Sequence, residues 1–161
     1  MIEEHPVRDS VGAVDDYRYV RLLNEVERNV QRYRRYRRPF SVLTTVVQNL
    51  RWIDDNLGEA AGNAALEQLT DLTSTHTREV DIWFRCRRDL LVIVMEETDT
   101  DGARAVAERL TAEIQKTDFL PKSGGATLQV GLDTVSCPND AVDAEELLRA
   151  VGVSPSKATG A

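Results

Sequence analysis

The strongest limit on how this chain can fold comes from two apolar segments in close succession, Ile82 to Arg85 and Leu90 to Met95 (L-L-V-I-V-M). They flank a short charged stretch whose tight turn falls at Arg87 and Arg88. Two strands joined by so few residues pair antiparallel, so an antiparallel hairpin lies near the middle of the chain.

The remaining elements follow from periodicity. Tyr19, Leu22, Leu23, Val26, Val30 and Tyr33 recur at 3.6-residue spacing, which predicts a long amphipathic helix with Asp15 or Asp16 as N-cap and an end at Pro39. Ser41 to Val47 (S-V-L-T-T-V-V) is β-branched and aliphatic, as a buried strand requires. Asp54 to Gly58 reads as a helix end or turn, and Ala60 to Thr77 carries Ala65, Leu66, Leu69 and Leu72 on one helical face. After the hairpin, Ala103, Val106, Ala107, Leu110 and Ile114 mark another amphipathic helix. Ala126 to Ser136 is expected as a strand, and Asp143 as the cap of a short helix through Ala150. This order predicts an α+β sandwich with helices flanking a central, mostly antiparallel sheet. One domain over residues 15–152 is expected, with an N-terminal tail (1–14) and a disordered end (153–161).

Composition narrows the function classes. Apolar residues make up 42% and charged residues 29% of 161 positions, ordinary values for a globular domain, and no apolar run approaches a membrane span. Met1 to Asp16 lacks the apolar segment of a signal peptide, so a cytoplasmic location and no membrane partner are expected. A net charge of -7 argues against nucleic acid, although Arg28, Arg32, Arg34, Arg35, Arg37 and Arg38 crowd together around Tyr33 and Tyr36. Glu25 and Glu27 lie one turn away, and the cluster reads as a solvated helix face. Cys86 and Cys137 fit no metal-ligand spacing and are expected as packing thiols. His5 and His76 have no nucleophile or carboxylate at a catalytic spacing, and Trp52 and Trp83 read as core or half-buried packing residues.

Several short motifs, colinear from Tyr17 to Val151, carry a resemblance. Arg37-Arg38-Pro39-Phe40-Ser41-Val42-Leu43 leads into the first strand. Ile53-Asp54-Asp55-Asn56-Leu57-Gly58 is followed by Gly62-Asn63 and Leu66. Arg78 and Asp81 form R-x-x-D five residues before the hairpin turn, and Ala107-Glu108-Arg109-Leu110, Thr127-Leu128-Gln129-Val130-Gly131 and Asp143-Ala144-Glu145-Glu146-Leu147-Leu148 come after it. Together they resemble the GGDEF family of bacterial diguanylate cyclases, which join two GTP into cyclic di-GMP. The resemblance implies the same nucleotidyl-cyclase-like α+β sandwich, with the last family helix broken at Gly152 and Pro155.

The resemblance also implies an altered active site. Its first strand should end in a Mg²⁺-binding aspartate, and Val46 stands there, with Gln48 at a second aspartate position. The G-G-[DE]-E-F turn has become Arg87, Arg88, Asp89, Leu90 and Leu91, so Asp89 alone remains of the metal carboxylates. One carboxylate is a poor site for an ion that wants near-octahedral oxygen ligation. No Mg²⁺, no other cofactor and no cyclase activity are therefore expected. The guanine-reading Asn and Asp of the family fall on Asp54 and Asn63, an exchange of amide and carboxylate that could still engage a guanine edge in another orientation.

The R-x-x-D motif in this family forms an inhibitory site for cyclic di-GMP, together with an arginine from the helix after the hairpin. Those roles fall on Arg78, Asp81 and Arg109. A guanidinium can donate to guanine O6 and N7, while a carboxylate accepts from N1–H and N2–H₂. Arg78 and Asp81 could equally form only an exposed ion pair. The leading expectation is a catalytically inactive receptor that binds cyclic di-GMP as a regulatory ligand and signals through a partner protein. The alternative is a nucleotide-independent interaction or dimerisation module. The shortened end leaves surface that a homodimer or partner could cover.

Overall fold

The structure, a computed structural model, describes residues 13–156. The chain order is β1 (Ala13–Val14), α1 (Asp16–Tyr36), β2 (Phe40–Val47), α2 (Leu50–Leu57), α3 (Glu59–Ser74), β3 (Ile82–Arg87), β4 (Leu90–Met95), α4 (Thr100–Lys116), β5 (Val130–Cys137), α5 (Ala144–Ala150) and β6 (Ser154–Pro155). β3, β4, β2 and β5 form one sheet in that order, every neighbouring pair antiparallel, and β1 pairs with β6 in parallel. The α+β class expected from the sequence holds.

The alternation of side chains along β2 and β4 builds two cores on one sheet. Phe40, Val42, Val46, Leu90, Val92 and Val94 pack with Leu22, Val26 and Val30 of α1 and with Leu147 and Leu148 of α5. Leu43, Leu91, Ile93 and Met95 turn the other way, onto Ala103 and Leu110 of α4. A third cluster joins Val47 to Leu50, Ile53, Ala65, Leu66 and Leu69, seating α2 and α3 at one end of that second face. Both central strands are thus covered on both faces, which is why L-L-V-I-V-M can be apolar at every position.

Capping chemistry sets the helix ends. Asp15, Asp99 and Asp143 accept hydrogen bonds from the backbone N–H of Arg18, Gly102 and Glu146 at the starts of α1, α4 and α5. Arg37 ends α1 in the left-handed region at φ 58°, and its N–H donates to the Tyr33 carbonyl.

Four differences from the sequence reading have local causes. The stretch read as a helix end near Asp54 is a separate helix, α2, divided from α3 by Gly58 at φ 95°. The hairpin turn lies at Arg88 and Asp89, because a register irregularity between Arg85 and Arg87 prolongs β3. β5 starts at Val130 and not at Ala126, since the Asn49 side chain bonds the Thr127 carbonyl and the Gln129 N–H. The packed unit extends past 15–152 at both ends. Val14 and Val153 are buried in the first core and β1 pairs with β6, while the rest of the two expected tails lies outside the described residues.

Trp83 packs against the second core as expected, but Trp52 is 44% exposed. Within the arginine cluster, Arg28 pairs with Glu25, Arg32 with Glu96 and Arg38 with Glu97, and Arg37 lies over the Tyr33 ring. No helix among the described residues is long and apolar enough to cross a membrane.

Candidate functional site

The residues singled out by the sequence fall into two places. The first is the end of the sheet where the β3–β4 turn faces α2 and α3. Val46 pairs across the ladder with Leu90 and with Gly131, and Val46 and Leu90 both point into the first core. Gln48 lies over Gly131, where an added Cβ would come within 2.6 Å of its Nε2. Asp89 is held by Arg87, whose Nε donates to Oδ1 at 2.9 Å and Nη2 to Oδ2 at 3.4 Å, and the Asp89 carbonyl accepts from the Val47 N–H.

Arg88 reaches from the turn to both helices. Its Nη1 donates to Asp54 Oδ2 at 2.5 Å and its Nη2 to Asp54 Oδ1 at 3.1 Å, a bidentate pair. Nη2 and Nε also donate to Asn63 Oδ1, at 2.8 and 3.2 Å. The hydrogen bond to Asp54 is the main cause holding the Arg88 guanidinium above its ordinary pKa, against a smaller desolvation effect. Gly62 makes room for the contact: a Cβ there would lie 2.5 Å from Asp54 Oδ1 and 3.0 Å from Arg88 Nη2. Sequence reasoning placed Asp54, Asn63 and Arg88 in one region but missed their mutual contact. The acceptors stand 34 and 25 residues from Arg88, and no local pattern encodes that distance.

A divalent cation, which the resemblance implies for this end of the sheet, does not fit the donors present. Val46 offers no donor, Gln48 an amide, and both Asp89 oxygens already accept from Arg87. Among the described residues no group of three or more His, Cys, Asp or Glu is placed to hold a metal ion.

The second place is the turn before β3. The Asp81 side chain is only 3% exposed, and it accepts from the Arg78 backbone N–H at 2.8 Å and from Arg78 Nη2 at 3.3 Å. Nη2 also donates to the Glu96 carbonyl and, at 2.8 Å, to Thr98 Oγ1, tying the turn to the β4–α4 loop. The Arg78 side chain nevertheless stays 54% exposed. Arg109 is exposed on α4, and among the described residues it makes no hydrogen bond or ion pair with Arg78 or Asp81. Ten residues of helix separate it from Asp99, about 15 Å along the axis. The structure thus joins Arg78 directly to Asp81, and Arg109 lies farther along α4 with no direct bond to either among the described residues.

Comparison with known proteins places the chain in a family. The family described as "Diguanylate cyclase, GGDEF domain" matches residues 16–154, nearly the whole chain. The chain belongs to the GGDEF family. It is 25% identical over 96 residues to Diguanylate cyclase A of Treponema denticola, a match covering 58% of this chain and 26% of that protein. The match therefore spans about a quarter of that relative's length. The fold superposes on the GGDEF domain of TpbB (YfiN) from Pseudomonas aeruginosa with TM-score 0.72 at 18% identity, covering 94% of this chain and 93% of the other. The active GGEEF domain of a diguanylate cyclase from Vibrio cholerae gives TM-score 0.64 at 21% identity, covering 72% and 73%.

These matches overturn one expectation, that the chain is no enzyme. The family is described by the cyclase and the Treponema relative is named as one. The expectation treated single side chains at the turn and at the end of β2 as deciding turnover. The family match extends instead over residues 16–154, far beyond those positions.

Proposed function

We propose, from this membership, that the chain is a signalling domain of the cyclic di-GMP system that binds the dinucleotide at the Arg78–Asp81 turn and passes the signal to a partner protein. The observation carrying the proposal is the buried Asp81 carboxylate, which fixes both the backbone and the guanidinium of an arginine that stays open to solvent. An arginine oriented in advance loses less freedom on binding than a free one. All three of its side-chain acceptors are met by Nη2. The rest of the fork can therefore meet the O6 and N7 acceptors of a guanine or a phosphate oxygen. Arg109 supplies a further cation on the exposed face of α4 for a ligand with two phosphates.

Calorimetric titration with cyclic di-GMP tests this. Wild type is expected to bind at micromolar concentration or tighter, and Arg78→Ala to lose at least tenfold in affinity. Absence of binding by wild type, or equal binding by the variant, rejects the assignment and favours a nucleotide-independent interaction module. Formation of cyclic di-GMP from GTP is the activity to assay in the same preparation, because the family is described by it.

A further inference from the structure

β3 is an edge of the sheet. β4 lies on one side of it, and among the described residues no strand lies on the other. The N–H and C=O groups of alternate residues in a strand point to opposite edges, so half of those in β3 face outward without a ladder partner. The irregularity between Arg85 and Arg87 ends the regular stretch, leaving Ile82 to Arg85 as about 13 Å of edge.

A groove of about 480 Å³ lies between this edge and the start of α1, with Tyr17, Arg18 and Arg21 of the helix and Trp83, Phe84 and Arg85 of the strand in its walls. Phe84 packs toward the first core and Trp83 toward the second, so two half-buried rings flank the edge on opposite faces. The groove is also basic. Its one carboxylate, Asp15, caps α1 and pairs with Arg18. Arg21 lies over the Tyr17 ring at 5.8 Å, and Arg85 donates to the Thr70 hydroxyl and the Arg88 carbonyl, both neutral acceptors. Among the described residues neither guanidinium pairs with a carboxylate, in a chain whose net charge is -7.

We propose that the outer edge of β3 is a docking site for an extended acidic segment of a partner protein, which adds to the sheet as a further strand. Main-chain hydrogen bonds along the edge hold the segment, and its alternate side chains set specificity. Carboxylates on its α1 side lie beside Arg18 and Arg21, while side chains on the other face meet Trp83 and Arg85. The opposite edge of the sheet lacks this character, since β5 exposes Asp133 and the groove beside it contains Asp118 and no cation. A second copy of this chain is the wrong occupant, because pairing two β3 edges about a two-fold axis brings two basic walls together. The inference rests on the proposed function in one respect, that the signal passes to a partner protein, and it gives that partner a surface and a chemistry.

The probe is a capped hexapeptide of alternating glutamate and valine, titrated calorimetrically into the full chain, with a lysine–valine peptide and a fully N-methylated glutamate–valine peptide beside it. The first is expected to bind at submillimolar concentration and to slow amide hydrogen exchange at Trp83 to Arg85. The lysine peptide should not bind, and the N-methylated one, which keeps the side chains and loses the donors, should not bind either. Arg21→Glu, an exposed change outside both cores, should weaken the glutamate peptide roughly tenfold and let the lysine peptide bind. No binding of the glutamate peptide, equal binding of the lysine or N-methylated peptide, or an unchanged affinity in Arg21→Glu overturns the proposal. Protection of β3 that rises with protein concentration alone assigns the edge to a second copy and overturns it as well. The titrations contain no cyclic di-GMP, so the peptide can fail to bind while the dinucleotide assignment stands, and the dinucleotide can fail while the peptide binds.

Discussion

At the hairpin turn, Arg88 directs Nη1, Nη2 and Nε onto Asp54 and Asn63 and so links β3–β4 to two helices. At the turn before β3, Arg78 uses Nη2 for Asp81, Glu96 and Thr98, and its side chain stays 54% exposed. In the first turn both carboxylate oxygens of Asp54 accept from the arginine, so the pair closes on itself. In the second the carboxylate is the support, more deeply buried than the arginine it holds, at 3% against 54% exposure. Arginine beside aspartate therefore carries no function by itself. Which partner is fixed, and which donors are left over, decides whether the pair closes a site or presents one.

The first turn breaks most severely at Gly62. Gly62→Ala puts a Cβ 2.5 Å from Asp54 Oδ1, so the pair must move apart. A loss of about 1–3 kcal/mol is expected from forced overpacking, seen as a lower Tm with cyclic di-GMP affinity retained. At the second turn, Asp81→Ala removes the acceptor of the Arg78 N–H and releases the guanidinium. A cost of about 1–2 kcal/mol is expected in denaturant unfolding, together with weaker cyclic di-GMP binding; unchanged binding would show that Asp81 does not position Arg78.

Cys86 offers a control for the scaffold beneath both turns, since it lies at the end of β3 in the first core. Burial pushes its thiol up from 9.0 to about 11. A raised pKa means the folded chain holds this proton longer than the unfolded one, so stability falls as pH rises. The loss starts near pH 9 and reaches roughly 2 kcal/mol by pH 11. Cys86→Ala should remove that alkaline slope, and thiol labelling of the native protein at pH 8 should be slow. The smallest effect belongs to Arg88→Ala, whose partly exposed ion pair contributes under about 1 kcal/mol to stability. A large drop in Tm would mean that the Arg88 contact is what ties the hairpin turn to α2 and α3.

Much of the fold was legible because its signals are local. The 3.6-residue spacing of Leu22, Val26 and Val30, the all-apolar run of β4 and the aspartate caps each specify an element within a few residues. The short helix α2 was not legible. Its eight residues bury only Leu50 and Ile53, and Asn49 before it gives no side-chain cap, turning instead to Thr127 and Gln129. The position of the hairpin turn depended on a bulge, which propensity does not encode.

The two site regions differ in the same respect. Arg78 and Asp81 are three residues apart, and their pairing could be anticipated from spacing alone. The Arg88 contact joins three elements that meet only after the sheet and both helices have packed. Residue-by-residue reading of that region also led to the exclusion of an enzyme, which kinship over the whole scaffold reverses.

Side-chain NMR of the arginines during titration with cyclic di-GMP tests the contrast most directly. Resonances of the Arg78 guanidinium should shift in a saturable manner while those of Arg88 stay in place. Shifts confined to Arg88, or equal shifts at both, would contradict the division into an arginine that presents donors and one whose fork is bound to Asp54 and Asn63.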